Sequence, residues 1–466
     1  MFFTKKISVA WYVIADWVSA LLGIILFFYY SNHLVVQQFN WSNNSTTPIF
    51  LKATLLISFT WLLLYSITAS YASLYKKSRL YEIVKLFFIS IIGSVLLFLF
   101  SRSLFQSLSV ILNLRSFLLF TTLHFCITAV LRSVILYWVK WQLKHQLFYY
   151  KSILMGDVTL LTQLLQTTQL ANNNNAHHII GYCCNQSLQA TTVPQLGTLT
   201  NYEVAINQYQ PNEIIIALTN SDAVLINTII TQLLGKNIAI KILPQQLDYL
   251  TGAIKTTNVL TNNLVSINNM AMPEWQLNLK RICDIICSIL FMILLLPLCI
   301  FIYIKIKLTG KVIYKQTRLG QNAKPFVLYK FRSMIANAEV DNTPQLSSAT
   351  DSRITPWGRT MRKWRLDEIP QLFNILIGDM SFVGPRPERT YYANQIIATN
   401  PYYKVLYEIK PGLTSWGMVK YGYAENITQM LERMQYDLVY MNNASLLLDL
   451  KILLHTVRII FMGVGK

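Results

Sequence analysis

Two carboxylates stand side by side in Leu366-Asp367-Glu368-Ile369-Pro370-Gln371, and the chain around them is rich in Lys and Arg. A carboxylate can attack phosphorus and form a labile acyl phosphate, while arginines or a divalent cation take up charge on the transferring phosphoryl group. Lys315, Arg318, Lys324, Lys330, Arg332, Arg353, Arg359, Arg362, Lys363, Arg365 and Arg386 make this part of the chain strongly basic. Such a surface suits a diphosphate or an anionic lipid. Arg332 and Arg386 are the expected electrophilic partners, with Lys330 and Arg318 as further phosphate ligands.

The carboxylates need an element to hold them. In Leu366–Gly378, Asp367 occupies a position suited to a helix N-cap, Pro370 falls in the first turn and Gly378 just past the end. A helix start offers free N–H groups and a positive dipole end, which would hold Asp367 ionised and also welcome a phosphate. Capping alone would satisfy Asp367 but leaves Glu368, the basic surroundings and the rigid Pro385-Arg386-Pro387 turn without a reason. Upstream, Val312–Arg318 and Phe326–Arg332 alternate apolar and polar residues around Gly320–Lys324, as a β-hairpin does, and one face can carry Arg318, Lys330 and Arg332.

The chain as a whole reads as a membrane protein. Hydrophobic residues make up 53% of it and the mean hydropathy is +0.38, above the soluble average. Four apolar stretches, about Ile7–Tyr30, Ile49–Tyr75, Ile83–Phe100 and Phe117–Val139, each approach the ~20 residues that cross a bilayer as a helix. Asp16, His124 and Arg132 lie within them, where they are costly unless they face other helices or reach a boundary. Lys5 and Lys6, then Lys76, Lys77, Arg79 and Lys85, then Lys140 and Lys144, put three regions on the cytoplasmic side; residues 31–48 hold no Lys or Arg, while Arg102 and Arg115 run against the trend. The first stretch has no small-residue cleavage site and reads as a retained span.

A different kind of membrane segment follows at Ile282–Ile304, where Pro297 interrupts the apolar run and Lys280, Arg281, Lys305, Lys307 and Lys311 flank both ends. A full crossing would carry the basic C-terminal third to the opposite side, so a re-entrant helix broken at Pro297 is expected, with Asp284 at the interface facing Lys280 or Arg281. Leu446–Phe461 contains Asp449, Lys451, His455 and Arg458 and reads as a helix lying on the membrane surface. The formal charge of +19 calls for anionic neighbours, part of it being the Lys/Arg bias of cytoplasmic loops.

Between these regions, Ser152–Gly156, His178–Tyr182, Glu213–Leu218 and Ile238–Leu243 are short apolar strands alternating with helical patterns, the rhythm of a parallel α/β sheet. A dinucleotide site would need Gly-x-Gly-x-x-Gly after the first strand, and only Gly156 is supplied. A regulatory or structural module without cofactor is the expectation. The Asn172–Asn175 run with His177 and His178 reads as a loop, with no third ligand at metal spacing. The six cysteines form no paired Cys-x-x-Cys set, and the pairs Cys183 with Cys184 and Cys283 with Cys287 read as buried free thiols.

Lys280-Arg281 with Asp284, Lys315–Gly320, Lys330–Met334, Leu366–Gln371, Gly378–Ser381 and Val383–Glu388 together resemble the bacterial sugar transferase family, the monotopic polyprenyl phosphoglycosyl transferases. The resemblance covers about residues 270–466, and the regions before it are similar to the family's large members. It implies a multi-domain membrane protein: a four-span transmembrane region at 1–145, a Rossmann-like α/β domain at 146–268, and a mainly α catalytic domain at 269–466 with a re-entrant helix at 282–304 and a small β-hairpin. It also implies that Asp367 attacks the β-phosphate of a UDP-sugar, and that undecaprenyl phosphate then takes the phosphosugar. Glu368 would assist with proton transfer or Mg²⁺ positioning, so both carboxylates are candidate metal ligands. UDP-sugar, undecaprenyl phosphate and membrane lipids are the expected partners, with no nucleic acid and with a homodimer left open. The expected location is the bacterial inner membrane, with both soluble domains on the cytoplasmic face.

The sequence departs from the family at Thr414-Ser415-Trp416-Gly417-Met418, where many relatives read Thr-Gly-Leu-Trp-Gln. A membrane-tethered nucleotide-sugar oxidoreductase or epimerase centred on the α/β module is the rival reading, and a binding scaffold for polysaccharide assembly a second. Both leave the Asp367–Arg386 segment idle.

Overall fold

The computed structural model describes residues 6–34, 47–71, 74–104, 114–171, 177–188, 193–219, 222–236, 238–244, 264–267, 272–308, 310–335, 338, 345, 351–422 and 424–463. The Asn172–Asn175 run and most of the basic-poor loop at 31–48 lie outside the described residues, as do the side chains of Arg102 and Arg115. The chain forms two compact units, Met1–Ser152 with Gln163–Ile180, and Ile153–Thr162 with Gly181–Lys466.

The first unit carries four helices, α1 (Val9–Leu34), α2 (Thr47–Ile67), α3 (Arg79–Leu104) and α4 (Leu114–Lys144). Val9–Phe27, Arg79–Leu99 and Phe117–Lys144 are long and apolar enough to cross a membrane, whereas α2 contributes a shorter apolar stretch, Thr54–Ile67. The bundle is polar inside and apolar outside: Trp11, Ile25, Phe59, Phe88 and Val130 are exposed, while Asp16, Ser19, Ser90, His124, Thr128 and Arg132 are buried. That inversion fits a hydrocarbon surround, where apolar side chains need no burial and polar ones must find each other.

Arg132 is the centre of the polar interior. Its Nε and Nη2 donate to the two oxygens of Asp16, each at 2.8 Å, and its Nη1 donates to Glu82 Oε1 at 2.8 Å. Lys77 closes on Glu82 at 3.1 Å. The guanidinium also lies over the rings of Tyr65, at 4.2 Å, and Tyr12, at 4.9 Å. His124 stacks on Trp61 with centroids 3.8 Å apart and meets the Tyr65 hydroxyl through Nε2 at 2.8 Å. The three costly residues within the apolar stretches thus face other helices.

In the α/β layer, β1 (Tyr150–Gly156), β2 (His177–Cys183), β3 (Gln195–Gly197), β4 (Glu213–Ala217), β5 (Ala239–Ile242) and β6 (Val265–Ser266) make a sheet in the order β3-β2-β1-β4-β5-β6. The β2–β3 and β4–β5 pairs are parallel and β5–β6 antiparallel. Order reverses between β1 and β4, where ligands bind in doubly wound sheets. Here a Cβ on Gly156 would lie 1.9 Å from the Ala217 carbonyl oxygen, which also accepts from Asp157 N–H at 3.0 Å. The turn is therefore packed onto β4, and its flanking carboxylates, Asp157 and Asp222, are unsuited to a pyrophosphate.

From Pro273 onwards the second unit builds a mainly helical layer. Glu274–Leu294 and Leu296–Lys307 are bent by 61°. The break falls at Leu295, two residues before the expected point, because Pro297 sits in the first turn of the second helix, where its missing N–H costs nothing. Ile289, Leu290, Ile293, Leu294, Leu296 and Ile300 are exposed around the bend, while Asp284 and Ser288 are buried. Cys183 and Cys184 are buried as expected, but Cys283 is exposed on this helix. The helix Leu446–Phe461 likewise exposes Leu447, Leu450, Leu454, Val457 and Phe461 at helical spacing while burying Asp449. The hairpin of β7 (Ile313–Leu319) and β8 (Pro325–Phe331) pairs Ile313 with Phe331 and Leu319 with Pro325. A short parallel pair, β9 (Ser381–Val383) and β10 (Gly412–Thr414), lies further along the chain.

Replacing Arg132 by Met leaves Asp16 and Glu82 buried without their main counter-charge, which costs about 3–5 kcal/mol for a pair broken on one side. The apparent melting temperature of the Arg132→Met variant in detergent is expected to fall well below that of the wild type. An unchanged melting temperature would mean that the network adds nothing to the bundle.

Candidate active site

Asp367 and Glu368 sit in a 3₁₀ turn, Leu366–Glu368, and both are buried. The α-helix expected to start at Asp367 begins four residues later, at Gln371, and runs to Ile377, with Gly378 in the left-handed conformation at its end. Ile369 and Pro370 already have helical backbone, but Pro370 lacks an N–H, and Glu368, Ile369, Leu372 and Phe373 bond to carbonyls three residues back, so a 3₁₀ turn precedes the α-helix. Arg365, just before the pair, adopts φ 53°, a left-handed conformation costing a non-glycine residue about 1–2 kcal/mol. Strain of this kind persists only where surrounding contacts impose it.

Those contacts are ionic. Glu368 Oε1 accepts from Lys330 Nζ at 2.9 Å and lies 3.8 Å from Arg386 Nη2, while Arg365 Nη1 is 3.6 Å from Oε2. The hairpin, the turn itself and the Pro385–Pro387 segment thus each send one cation to a single carboxylate. Burial pushes the Glu368 carboxyl up, but Lys330, Arg386 and Arg365 outweigh it and hold the acid well below its ordinary range. Asp367 goes the other way: burial raises it and Glu368 adds to the rise, with Lys330 and Arg362 pulling against them. The two neighbours are driven apart, Glu368 as the fixed anion and Asp367 as the more basic carboxylate. Cations on side chains, rather than a helix dipole, provide the positive field.

Asn374 sets the spacing between turn and hairpin. Its Oδ1 accepts from the N–H of Tyr329, the residue before Lys330 on β8, at 3.1 Å, and its Nδ2 donates to Val327 O at 2.7 Å. Leu328, Leu372, Ile375 and Met380 close the apolar side of that contact. Arg281 reaches the far end of the same helix, donating to Ile375 O at 2.6 Å and Leu376 O at 2.8 Å, where a cation suits the last carbonyls. Lys280 turns instead to Asp449 at 2.6 Å and Val383 O at 2.7 Å. Asp284 accepts from Phe382 N–H at 3.3 Å, so the pairing expected with Lys280 or Arg281 gives way to a backbone contact.

Two expected phosphate ligands lie apart from the pair. Arg332 donates to Met334 O at 3.2 Å and lies beside Gly310. Arg318 donates to Gln316, to Pro387 O at 3.1 Å and to Glu388 Oε2 at 3.4 Å. Burial, against the pull of Glu388 and with Arg386 and Arg389 nearby, lowers Arg318 to about 10. Arg353 pairs with Asp351 at 2.6 Å, beyond a polar stretch that mostly lies outside the described residues.

Sequence reasoning missed Arg365, Asn374, Glu388 and Arg433 as shaping groups. Arg365 adjoins the Leu366–Gln371 motif and Glu388 ends the Val383–Glu388 one, but Arg433 is distant in sequence and carries no motif.

Among the described residues no group of three or more His, Cys, Asp or Glu could hold a metal by itself. Mg²⁺ generally binds through one or two carboxylates and the phosphates of its substrate, a pattern that Asp367 and Glu368 can serve.

Residues 275–463 match the family model described as bacterial sugar transferase. A UDP-glucose:undecaprenyl-phosphate glucose-1-phosphate transferase of Caulobacter vibrioides is 37% identical over 182 residues, 38% of this chain and 68% of that protein. The chain belongs to the bacterial sugar transferase family. A UDP-N-acetylgalactosamine-undecaprenyl-phosphate N-acetylgalactosaminephosphotransferase of Aeromonas hydrophila is 36% identical over 218 residues, 46% of this chain and 51% of that protein. An undecaprenyl-phosphate galactose phosphotransferase of Salmonella typhimurium is 36% identical over 213 residues, 42% and 43% of the two chains. The chain thus spans about half the length of the Aeromonas relative and less of the Salmonella one. The residues that match the family model include the carboxylate pair.

The opposite electrostatics of the pair give opposite stability effects. A carboxyl held low stabilises the fold above its unfolded value and loses that contribution as pH falls; one held high opposes the fold once pH rises past it. At neutral pH, Asp367→Asn is expected to raise the melting temperature of the detergent-solubilised protein and Glu368→Gln to lower it. The same sign for both variants would contradict this division.

Proposed function

We propose that the protein transfers a hexose 1-phosphate from a UDP-sugar to undecaprenyl phosphate, releasing UMP. This would be the first membrane step of an exopolysaccharide, capsule or O-antigen. The observation that carries the reading is the buried Asp367–Glu368 pair, driven to opposite basicities and ringed by Lys330, Arg365 and Arg386, within a domain whose relatives carry names of this reaction. The different sugars in those names leave the hexose unspecified.

In this reading an Asp367 oxygen attacks the β-phosphorus of the donor. The bond from that phosphorus to the bridging oxygen breaks, UMP leaves with the bridging oxygen, and the sugar phosphate stays on Asp367 as an acyl phosphate. An oxygen of undecaprenyl phosphate then attacks the same phosphorus, forming the lipid diphosphate sugar and freeing the carboxylate. Burial favours the first step, since it strips water from Asp367 and raises its basicity. Arg386, 3.8 Å from Glu368, would follow the charge moving onto UMP, and Lys330, at 2.9 Å, would keep Glu368 ionised beside it. Mg²⁺ on the dyad and the diphosphate would add Lewis-acid neutralisation of the same charge. The exposed apolar bend at Leu295 supports a re-entrant helix that brings the lipid phosphate to the site at membrane level. The basic loops flanking α1–α4 support an inner-membrane location with the active site on the cytoplasmic face.

Incubation with undecaprenyl phosphate, Mg²⁺ and a panel of UDP-sugars, with UMP as the readout, is expected to give turnover with one preferred sugar. Asp367→Asn is expected to lose at least ~10³-fold, as for removal of a covalent nucleophile. Near-normal turnover in that variant would sink the covalent route, and the acid limb of the wild-type profile should lie above the ordinary aspartate range.

A further inference from the structure

One helix that the reaction does not otherwise use holds the residues on two sides of Arg386. On the backbone side, Pro385 O accepts from Gly412 N–H at 2.9 Å, Pro387 O accepts from Arg318, and Glu388 O accepts from Leu319 N–H at 3.1 Å. The Glu388 carboxylate, which locks this run, is shared between Arg318 and Arg433 Nη2, the latter at 2.5 Å. On the head side, Arg386 Nη1 donates to Met418 Sδ at 3.2 Å. Met418 is placed by Gly417, whose N–H donates to Asp437 Oδ1 at 2.9 Å, and by Ser415, whose hydroxyl accepts from Met418 N–H at 3.0 Å. A Cβ on Gly417 would come 2.7 Å from Arg433 Cγ, so only glycine lets this loop reach the helix.

Arg433 and Asp437 are four residues apart on Ile427–Asn443, one turn, and so lie on one face. Both are buried. Their contacts run to Glu388 and to Gly417, on either side of Arg386, and not to the carboxylate pair. The Gly417 and Met418 positions belong to the stretch where this chain departs from its family's usual residues. A thioether is a weak acceptor, so a diphosphate can take Arg386 from Met418 at little cost, whereas a carboxylate there would hold it.

We propose that Arg433 and Asp437 are positioning residues for Arg386, setting its reach between Glu368 and the incoming diphosphate through Glu388 and the Ser415–Met418 loop. This rests on the phosphotransferase reading. The test is a double-mutant cycle read by single-turnover UMP release: Arg433→Lys and Asp437→Asn, each in the wild-type and Arg386→Ala backgrounds. Each is expected to lower kcat/KM about 10–100-fold with Arg386 present and less than ~3-fold without it. Equal losses in both backgrounds, whatever the melting temperature, would mean a general structural role and overturn the inference. Met418→Leu keeps the volume and removes the acceptor, which serves if either buried variant fails to fold. It is expected to lose about 3–10-fold with Arg386 present and nothing in its absence, and wild-type kinetics would overturn the inference. A wild type that releases no UMP from any UDP-sugar brings down the functional reading and this inference together; turnover with additive losses brings down the inference alone.

Discussion

One buried carboxylate, Glu368, organises the candidate active site. Burying an anion costs several kcal/mol unless cations and hydrogen bonds replace its water, and here the replacements arrive from three separate places: Lys330 on β8, Arg365 in the preceding turn, and Arg386 between two prolines. Each cation has to be delivered by backbone that is itself fixed. The hairpin is fixed by Asn374, the helix after the turn by Arg281, and the Pro385–Pro387 run by Arg318 and Glu388. The left-handed Arg365 is the local cost of turning its guanidinium back towards Glu368.

The arrangement has a chemical consequence. With Glu368 committed to its cations, the negative charge next to Asp367 is permanent, and together with burial it makes Asp367 the more basic of the two. Two residues with nearly the same side chain acquire different characters from their neighbours alone. A dyad of this form can separate a nucleophile from a group that holds charge, which is the separation a covalent phosphoryl transfer requires.

The first unit solves a related problem in a different solvent. Asp16, Glu82, Lys77 and Arg132 are paired inside the bundle while aromatic and aliphatic side chains face outwards. The same inversion recurs at the bent pair Glu274–Leu294 and Leu296–Lys307 and at Leu446–Phe461, where Asp284 and Asp449 are covered and leucines exposed. Polar groups inside and apolar groups outside are a poor design in water and a natural one against lipid.

Much of this was legible in the residues themselves. Runs of about twenty apolar residues, the alternation of Val312–Phe331, the strand-and-helix rhythm after Tyr149 and the Asp367–Glu368 pair follow from composition and periodicity, which act locally and so survive without a fold. The start of the helix after Asp367 differs from the capping signals because the first turn is closed by bonds to carbonyls three residues back rather than four, a choice that capping residues do not fix. Which cations meet Glu368 was beyond the sequence: eleven basic residues from Lys315 to Arg386 are candidates by type, and only packing singled out Lys330, Arg365 and Arg386 while turning Arg332 and Arg318 aside. Charge pairing falls off over a few ångströms, so it is decided by distances between residues far apart in the chain, and those distances exist only once the hairpin, the turn and the Ile427–Asn443 helix have packed together.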